Sequence, residues 1–247
     1  MNEVPRWAGG YGAQVFIEQR WSDNLLSGSR TLDNPSNLYE RKQLTHLEAV
    51  YTFKPWIRVT GKMPYIRQWQ RVADPEGGTY TKRNDGIGDL TLALPIRKYT
   101  NGWGYSGHFG IVPQIRLPLG NDSGDYPISD GTTDYGFSMT FERETPVYII
   151  SIDTTYWWEQ GRSTDETWSI DFGLGWNFSD HGSFRWETEL ERKRGGDKWL
   201  ATGPALLWNF NDIVLARIEY KNAIYERVSG IGFTRGNILR VGIGVVY

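Results

Sequence analysis

The chain has no cysteine, which excludes disulfides, thiolate nucleophiles and cysteine-ligated metals. It has only three histidines, His46, His108 and His181, so it offers little for histidine-based catalysis. No stretch approaches the roughly 18 apolar residues of a transmembrane helix. The net charge is only −2, so no basic field draws in nucleic acid, and none is expected as a partner. Residues 1–5 lack a basic region followed by an apolar one. The expectation is that a targeting segment has been removed from this start.

Aromatic residues are plentiful, at 15% with 12 Trp and 14 Tyr. Such rings suit membrane interfaces, where an apolar face meets acyl chain and a polar edge meets water. A charged fraction of 23% resembles that of a soluble domain. A barrel strand, however, needs only about 9–11 alternating residues to cross a bilayer, which hydropathy averages conceal. Period-2 alternation marks twelve segments, near 10–20, 43–54, 56–70, 87–98, 103–118, 132–143, 147–158, 167–178, 183–192, 198–210, 213–222 and 235–247. Long connections at 22–42, 71–86, 119–131, 159–166, 193–197 and 223–234 alternate with tight ones, such as Lys54-Pro55 and Asn211-Asp212.

This pattern predicts an all-β transmembrane up-and-down antiparallel barrel of about 12 strands, with short periplasmic turns and longer extracellular loops. The whole chain, 1–247, reads as one domain, with 1–9 as an N-terminal periplasmic or lumenal segment. Facing is legible. Leu92, Phe172 and Ile243 fall on the bulky apolar set; Thr91, Gly173 and Gly242 fall on the small or polar set. The first set is expected to face lipid, the second water. A soluble sandwich or lipocalin-like barrel has the same periodicity.

Residues 237–247, Asn-Ile-Leu-Arg-Val-Gly-Ile-Gly-Val-Val-Tyr, alternate and stop on an aromatic residue. They resemble the terminal strand of bacterial outer-membrane barrels. The resemblance implies that Tyr247 is an assembly signal read by the barrel-assembly machinery. Two further segments narrow the match. Asn84-Asp-Gly-Ile-Gly-Asp-Leu-Thr-Leu-Ala-Leu94 resembles the GxGD strand of outer-membrane proteins linked to the meta-pathway of phenol degradation. Gly107-His-Phe-Gly-Ile-Val-Pro-Gln-Ile-Arg-Leu-Pro-Leu-Gly120 resembles that family's next strand, ending in Pro-x-Gly. The resemblance implies a channel in the bacterial outer membrane, surrounded by its lipid, for uptake of small solutes, hydrophobic and aromatic ones included.

Twelve strands leave a narrow lumen, between barrels filled by side chains and open porins. The inward face is expected to carry Glu18, Glu48, Arg58, Lys62, Asp89, Arg97, Arg116, Asp134, Asp153, Asp171, Arg185, Glu187, Glu189, Arg217, Glu219 and Arg240. Charges of both signs there imply a hydrated interior with cross-wall pairs. Among them Arg58, Arg97, Arg116 and Arg217 are expected to line the path. Pro95 and Pro113 lie inside consecutive strands. Proline cannot donate to a ladder, so the site is either a bulge or a lateral outlet. The acidic loop 120–130 offers oxygen ligands without the ordered spacing of an EF-hand, so no metal is assigned. No cofactor is expected. An outer-membrane lipid hydrolase would need a lipid-facing Ser–His pair. Ser106 and His108 share a face, but that face is the lumen. A structural or adhesive barrel with a sealed lumen is the other alternative.

Overall fold

The computed structural model describes residues 9–122, 126–160 and 166–247. Twelve strands follow one another around a barrel. They are β1 (Tyr11–Ser22), β2 (Tyr39–Lys54), β3 (Ile57–Ala73), β4 in three pieces (Thr79–Ile87, Leu90–Ala93 and Ile96–Gly102), and β5 (Tyr105–Leu117). Then come β6 (Asp134–Glu144), β7 (Tyr148–Trp158), β8 (Thr167–Asn177), β9 (Gly182–Lys193), β10 (Lys198–Asn209), β11 (Val214–Arg227) and β12 (Asn237–Val246). Each pairs antiparallel with its sequence neighbours, and β12 pairs with β1 from Gly12↔Val246 to Trp21↔Asn237. The sheet therefore closes on itself and leaves no edge, as a membrane-spanning sheet requires. No helix of the described residues is long and apolar enough to cross a membrane.

The alternation read in the sequence sets the two faces. Val15, Ile17, Leu47, Ile111, Met139, Phe172, Leu174, Ile218, Val241 and Ile243 point out and are exposed. Exposed apolar surface on this scale marks a lipid face. Aromatic side chains gather at the short-turn end of that face, among them Tyr11, Trp56, Trp103, Trp176, Trp208 and Tyr247, all exposed. Tyr11 and Tyr247 sit ring to ring there, 5.3 Å apart.

The longest strands run past the membrane. The 17 residues of β3 extend about 55 Å at roughly 3.3 Å each, against an apolar band of about 25 Å. The connection expected at 71–86 is accordingly shorter: β3 and β4 continue as a hairpin to a turn at 74–78, with Gly77 and Gly78 at φ 101° and 93°. Likewise β11 continues to Arg227. At the loop end three two-residue strands, Leu26–Ser27, Arg30–Thr31 and Ile231–Gly232, tie the first long loop to the last. The expected N-terminal segment falls largely at 1–8, outside the described residues, as do positions 123–125 of the acidic loop.

The breaks in β4 coincide with the two anomalies of its sequence. At Gly88 the N–H donates to the Pro64 carbonyl at 2.7 Å, and Asp89 accepts from the Gly120 N–H at 3.2 Å. An added Cβ at Gly88 would lie 2.8 Å from Ile66, which explains the glycine. At Pro95 the wall is stitched on both sides. Leu94 N–H donates to Pro113 O at 3.0 Å, Arg58 N–H to Pro95 O at 3.1 Å, and Arg97 N–H to Trp56 O at 2.8 Å.

Candidate solute pathway through the barrel

The inner wall carries its charges in two arrangements. One is a continuous belt on β8, β9, β11, β12 and β1. Glu18 accepts from both Arg20 and Arg240. Arg240 also donates to Glu219 at 2.8 Å. Arg217 donates to Glu219 at 2.8 Å and to both oxygens of Glu187 at 2.6 Å. Lys221 bonds Glu189 at 3.0 Å, pairs with Glu219 at 3.0 Å and Glu187 at 3.7 Å, and lies 3.9 Å from Asp171. Arg235 closes the belt above, bonding Glu189 at 2.7 Å and Glu191 at 2.6 Å.

The belt crosses β10 because β10 presents almost nothing to the lumen there. Its inward residues are Ala201, Gly203 and Ala205, and the two alanines are fully buried beneath the charged side chains. Any Cβ at Gly203 would overlap the Tyr220 carbonyl. Alternating acid and base at these distances lets each charge lose water without being left alone, the condition for tolerating buried ions.

Elsewhere the charges stand in pairs or singly. Lys62 pairs with Glu48 at 3.4 Å and lies over the Phe16 ring at 5.0 Å. Arg58, 1% exposed, donates to the Tyr99 hydroxyl. Arg116 holds Asp134 at 3.1 Å and Glu159 at 3.5 Å, stacked over Trp157. Asp134 also accepts from the Gln160 N–H at 3.0 Å. Arg185 approaches Glu142 at 3.9 Å. Asp153 accepts from Thr155 at 3.4 Å. Arg97 makes no ion pair within 4 Å among the described residues, and its Nε is buried without a hydrogen bond. Asp89 is set apart from the rest, fastening residue 120 at the break in β4. In the outer loops, burial and the Glu40 carboxylate raise the Tyr126 phenol pKa above its ordinary range. Burial likewise raises Glu159, against the pull of Lys193 and Arg116.

Between these groups lie successive cavities that share wall residues. One at the loop end, lined by Trp199, Phe233 and Arg235, shares Arg20 and Arg235 with a second of about 320 Å³. The second shares Arg217 and Arg240 with a third of about 310 Å³, and Glu48 and Lys62 with a fourth of about 440 Å³. The third shares Glu142 with a cavity at the turn end, lined by Asn177, Ser179 and Asn209. The interior is thus a chain of polar spaces from one mouth to the other.

Arg20, Lys221 and Arg235 belong to the inner wall although the sequence did not mark them as lining it. Arg20 and Lys221 carry a signal, two residues beyond Glu18 and Glu219 on the same face. Arg235 precedes its strand, where alternation says nothing. His108 lies 3.8 Å from Glu142 on the inner face, as expected for the lumen.

The fold has close counterparts. An outer-membrane channel from Pseudomonas putida F1 superposes with a TM-score of 0.78 at 11% identity, over 99% of this chain and 97% of that one. The NanC porin gives 0.54 at 15% identity, and the KdgM porin 0.52 at 11%, each over 94% of this chain and 98% of theirs. No curated protein sequence matches significantly. The family model described as "Putative MetA-pathway of phenol degradation" matches residues 38–234, from the start of the second strand to the last long loop, and the chain belongs to that family.

Proposed function

We propose that this protein is a bacterial outer-membrane channel that carries small solutes through its own lumen, with the long loops outside and the short turns in the periplasm. The observation that carries this reading is the run of adjoining polar cavities between the two mouths. A sealed structural barrel would fill that space with interlocking side chains. Here the small and hydroxyl side chains of β3 to β7 leave it open. The similarity to an outer-membrane channel supports the reading. The lipid face supports a membrane setting, with assembly machinery engaging β12 and Tyr247.

The reading is of a channel and not of an enzyme. Ser106 and His108 lie on the inner face of β5, and the His108 ring is occupied between Glu142 and Tyr99. A sideways outlet at Pro95 and Pro113 has less support than a path down the lumen, because hydrogen bonds bridge the wall on both sides of Pro95. Single-channel recording in planar bilayers tests the proposal. A folded barrel should show small, resolved conductance steps. A folded barrel that is silent to ions and small solutes at every voltage would leave the structural role standing instead.

A further inference from the structure

Resting on the channel reading, we propose that the lumenal cavity between Lys62 and Asp153 is a binding site for a small zwitterionic solute, one bearing both a carboxylate and an ammonium group. The cavity holds about 440 Å³, within the roughly 300–1,000 Å³ of small-molecule sites. Its wall carries two cations, Lys62 and Arg97, and three acids, Glu48, Asp153 and Asp171. Three of the five are already engaged: Lys62 with Glu48 at 3.4 Å, and Asp171 with Lys221 at 3.9 Å. One charge of each sign remains. Arg97 and Asp153 face the same cavity, and among the described residues no ion pair within 4 Å joins them.

The geometry around Arg97 shows why its charge stays available. Its stem runs over Gly110, where an added Cβ would lie 2.9 Å from the arginine Cγ and 2.9 Å from the Thr140 hydroxyl. The glycine lets the guanidinium lean across β5 towards β6. Among the described residues no carboxylate comes within ion-pair distance of it, and its buried Nε has no acceptor. Arginine stays protonated and offers a planar fork suited to carboxylates.

Each simpler solute meets an obstacle. An anion at Arg97 would face Asp153 across the cavity, and a cation at Asp153 would face Arg97. An apolar molecule would cover the Thr, Ser and Gln groups of the wall without replacing their hydrogen bonds, which is costly. A zwitterion oriented with its carboxylate on Arg97 and its ammonium on Asp153 satisfies both charges. Such a site would discriminate by the spacing between the solute's charges.

The test is calorimetric titration of the full chain, folded in detergent, with glycine, β-alanine, γ-aminobutyrate and ε-aminocaproate. Butyrate, butylamine and benzyl alcohol serve as the anionic, cationic and apolar comparators. The expected result is a maximum at one chain length, at least about tenfold tighter than any comparator. Arg97→Gln and Asp153→Asn should each remove that advantage while keeping heat-modifiable gel mobility. Equal affinity across the probes, no binding at all, or benzyl alcohol binding best and indifferent to both substitutions would overturn the proposal. Conductance read separately keeps the two ideas apart. Binding in a silent barrel would sink the channel and keep the site; conductance without zwitterion binding would do the reverse.

Discussion

Arg217 on β11 reaches Glu187 on β9 across an intervening strand, giving both carboxylate oxygens a 2.6 Å hydrogen bond. The reach is possible because Gly203 and Ala205 occupy the strand between. β9 and β11 are thus each laddered to β10 and are joined to each other by side chains passing over it.

Gly203→Ala is expected to weaken folding, since the new Cβ has no room beside the Tyr220 carbonyl. Forced overpacking costs about 1–3 kcal/mol. The unfolding midpoint in urea, followed by heat-modifiable mobility, should fall, whereas Ala205→Gly should move it far less. Matching midpoints for the two variants would contradict the close approach of β10 and β11.

Arg217→Ala should destabilise the barrel. It strips a partner from Glu219, whose side chain is 2% exposed, and from Glu187. Breaking a fully buried pair costs about 3–5 kcal/mol. Arg217 keeps 28% of its side chain exposed, so a smaller loss is expected. The double variant Arg217→Met, Glu187→Leu should recover part of it. A double variant worse than the single one would show that the belt stabilises beyond mutual neutralisation.

Arginine at Leu92, Phe172 or Ile243, exposed by 37%, 42% and 56% on the outer face, should cost roughly 2–4 kcal/mol near mid-bilayer. Thr91→Arg, facing the cavity, should fold normally. The inward glycines are poor controls. A Cβ at Gly173 meets the Ser151 hydroxyl at 2.5 Å, and one at Gly242 meets the Phe16 Cβ at 2.7 Å. They face the lumen as the alternation predicts, but packing between neighbouring strands leaves them no free space. Equal folding defects at Thr91 and Leu92 would reverse the assigned facing.

Removing Tyr247 should lower the yield of inserted barrel while leaving the conductance of whatever does insert unchanged. Tyr11 and Tyr247 exchange both backbone hydrogen bonds at 2.7 Å, so the deletion frees one end of the closing seam. Full folded yield from the truncated chain would remove the residue from assembly.

Among the four arginines expected along the path, Arg97→Gln should shift ion selectivity towards cations most. Arg116 and Arg217 are neutralised by near carboxylates, and Arg58 is held against Tyr99. Reversal potentials across a salt gradient measure the shift. A larger change from Arg58→Gln would mean that burial, and not pairing, governs which charge a passing ion meets.

Much of this was legible in the sequence because a bilayer enforces alternation. Where lipid touches one face, Leu92 and Thr91 cannot exchange roles, and the twelve strands follow. Legibility ended where lipid did. Residues 79–85 read as loop because Lys82, Arg83, Asn84 and Asp85 follow one another, yet they form a strand with one face in water and Asn84 on the other bonded to the Tyr126 carbonyl at 2.9 Å. The same period assigns the charges to one face of each strand. Their pairing was not readable, since it depends on strands two apart and on the small residues between them. Lys221 contacts four acids through a geometry that no local pattern records.

The closure of β12 on β1 also bears on how quickly the molecule forms. Its partners stand at opposite ends of the chain, and contacts so distant in sequence are the slowest to find one another. Every other strand can pair as soon as its neighbour exists. The seam must wait for the last residue, with β1 exposing an unsatisfied, adhesive edge throughout. A small sheet of loop strands near both seam partners, joining Leu26 to Gly232, shortens that final search by holding the two ends in register from above.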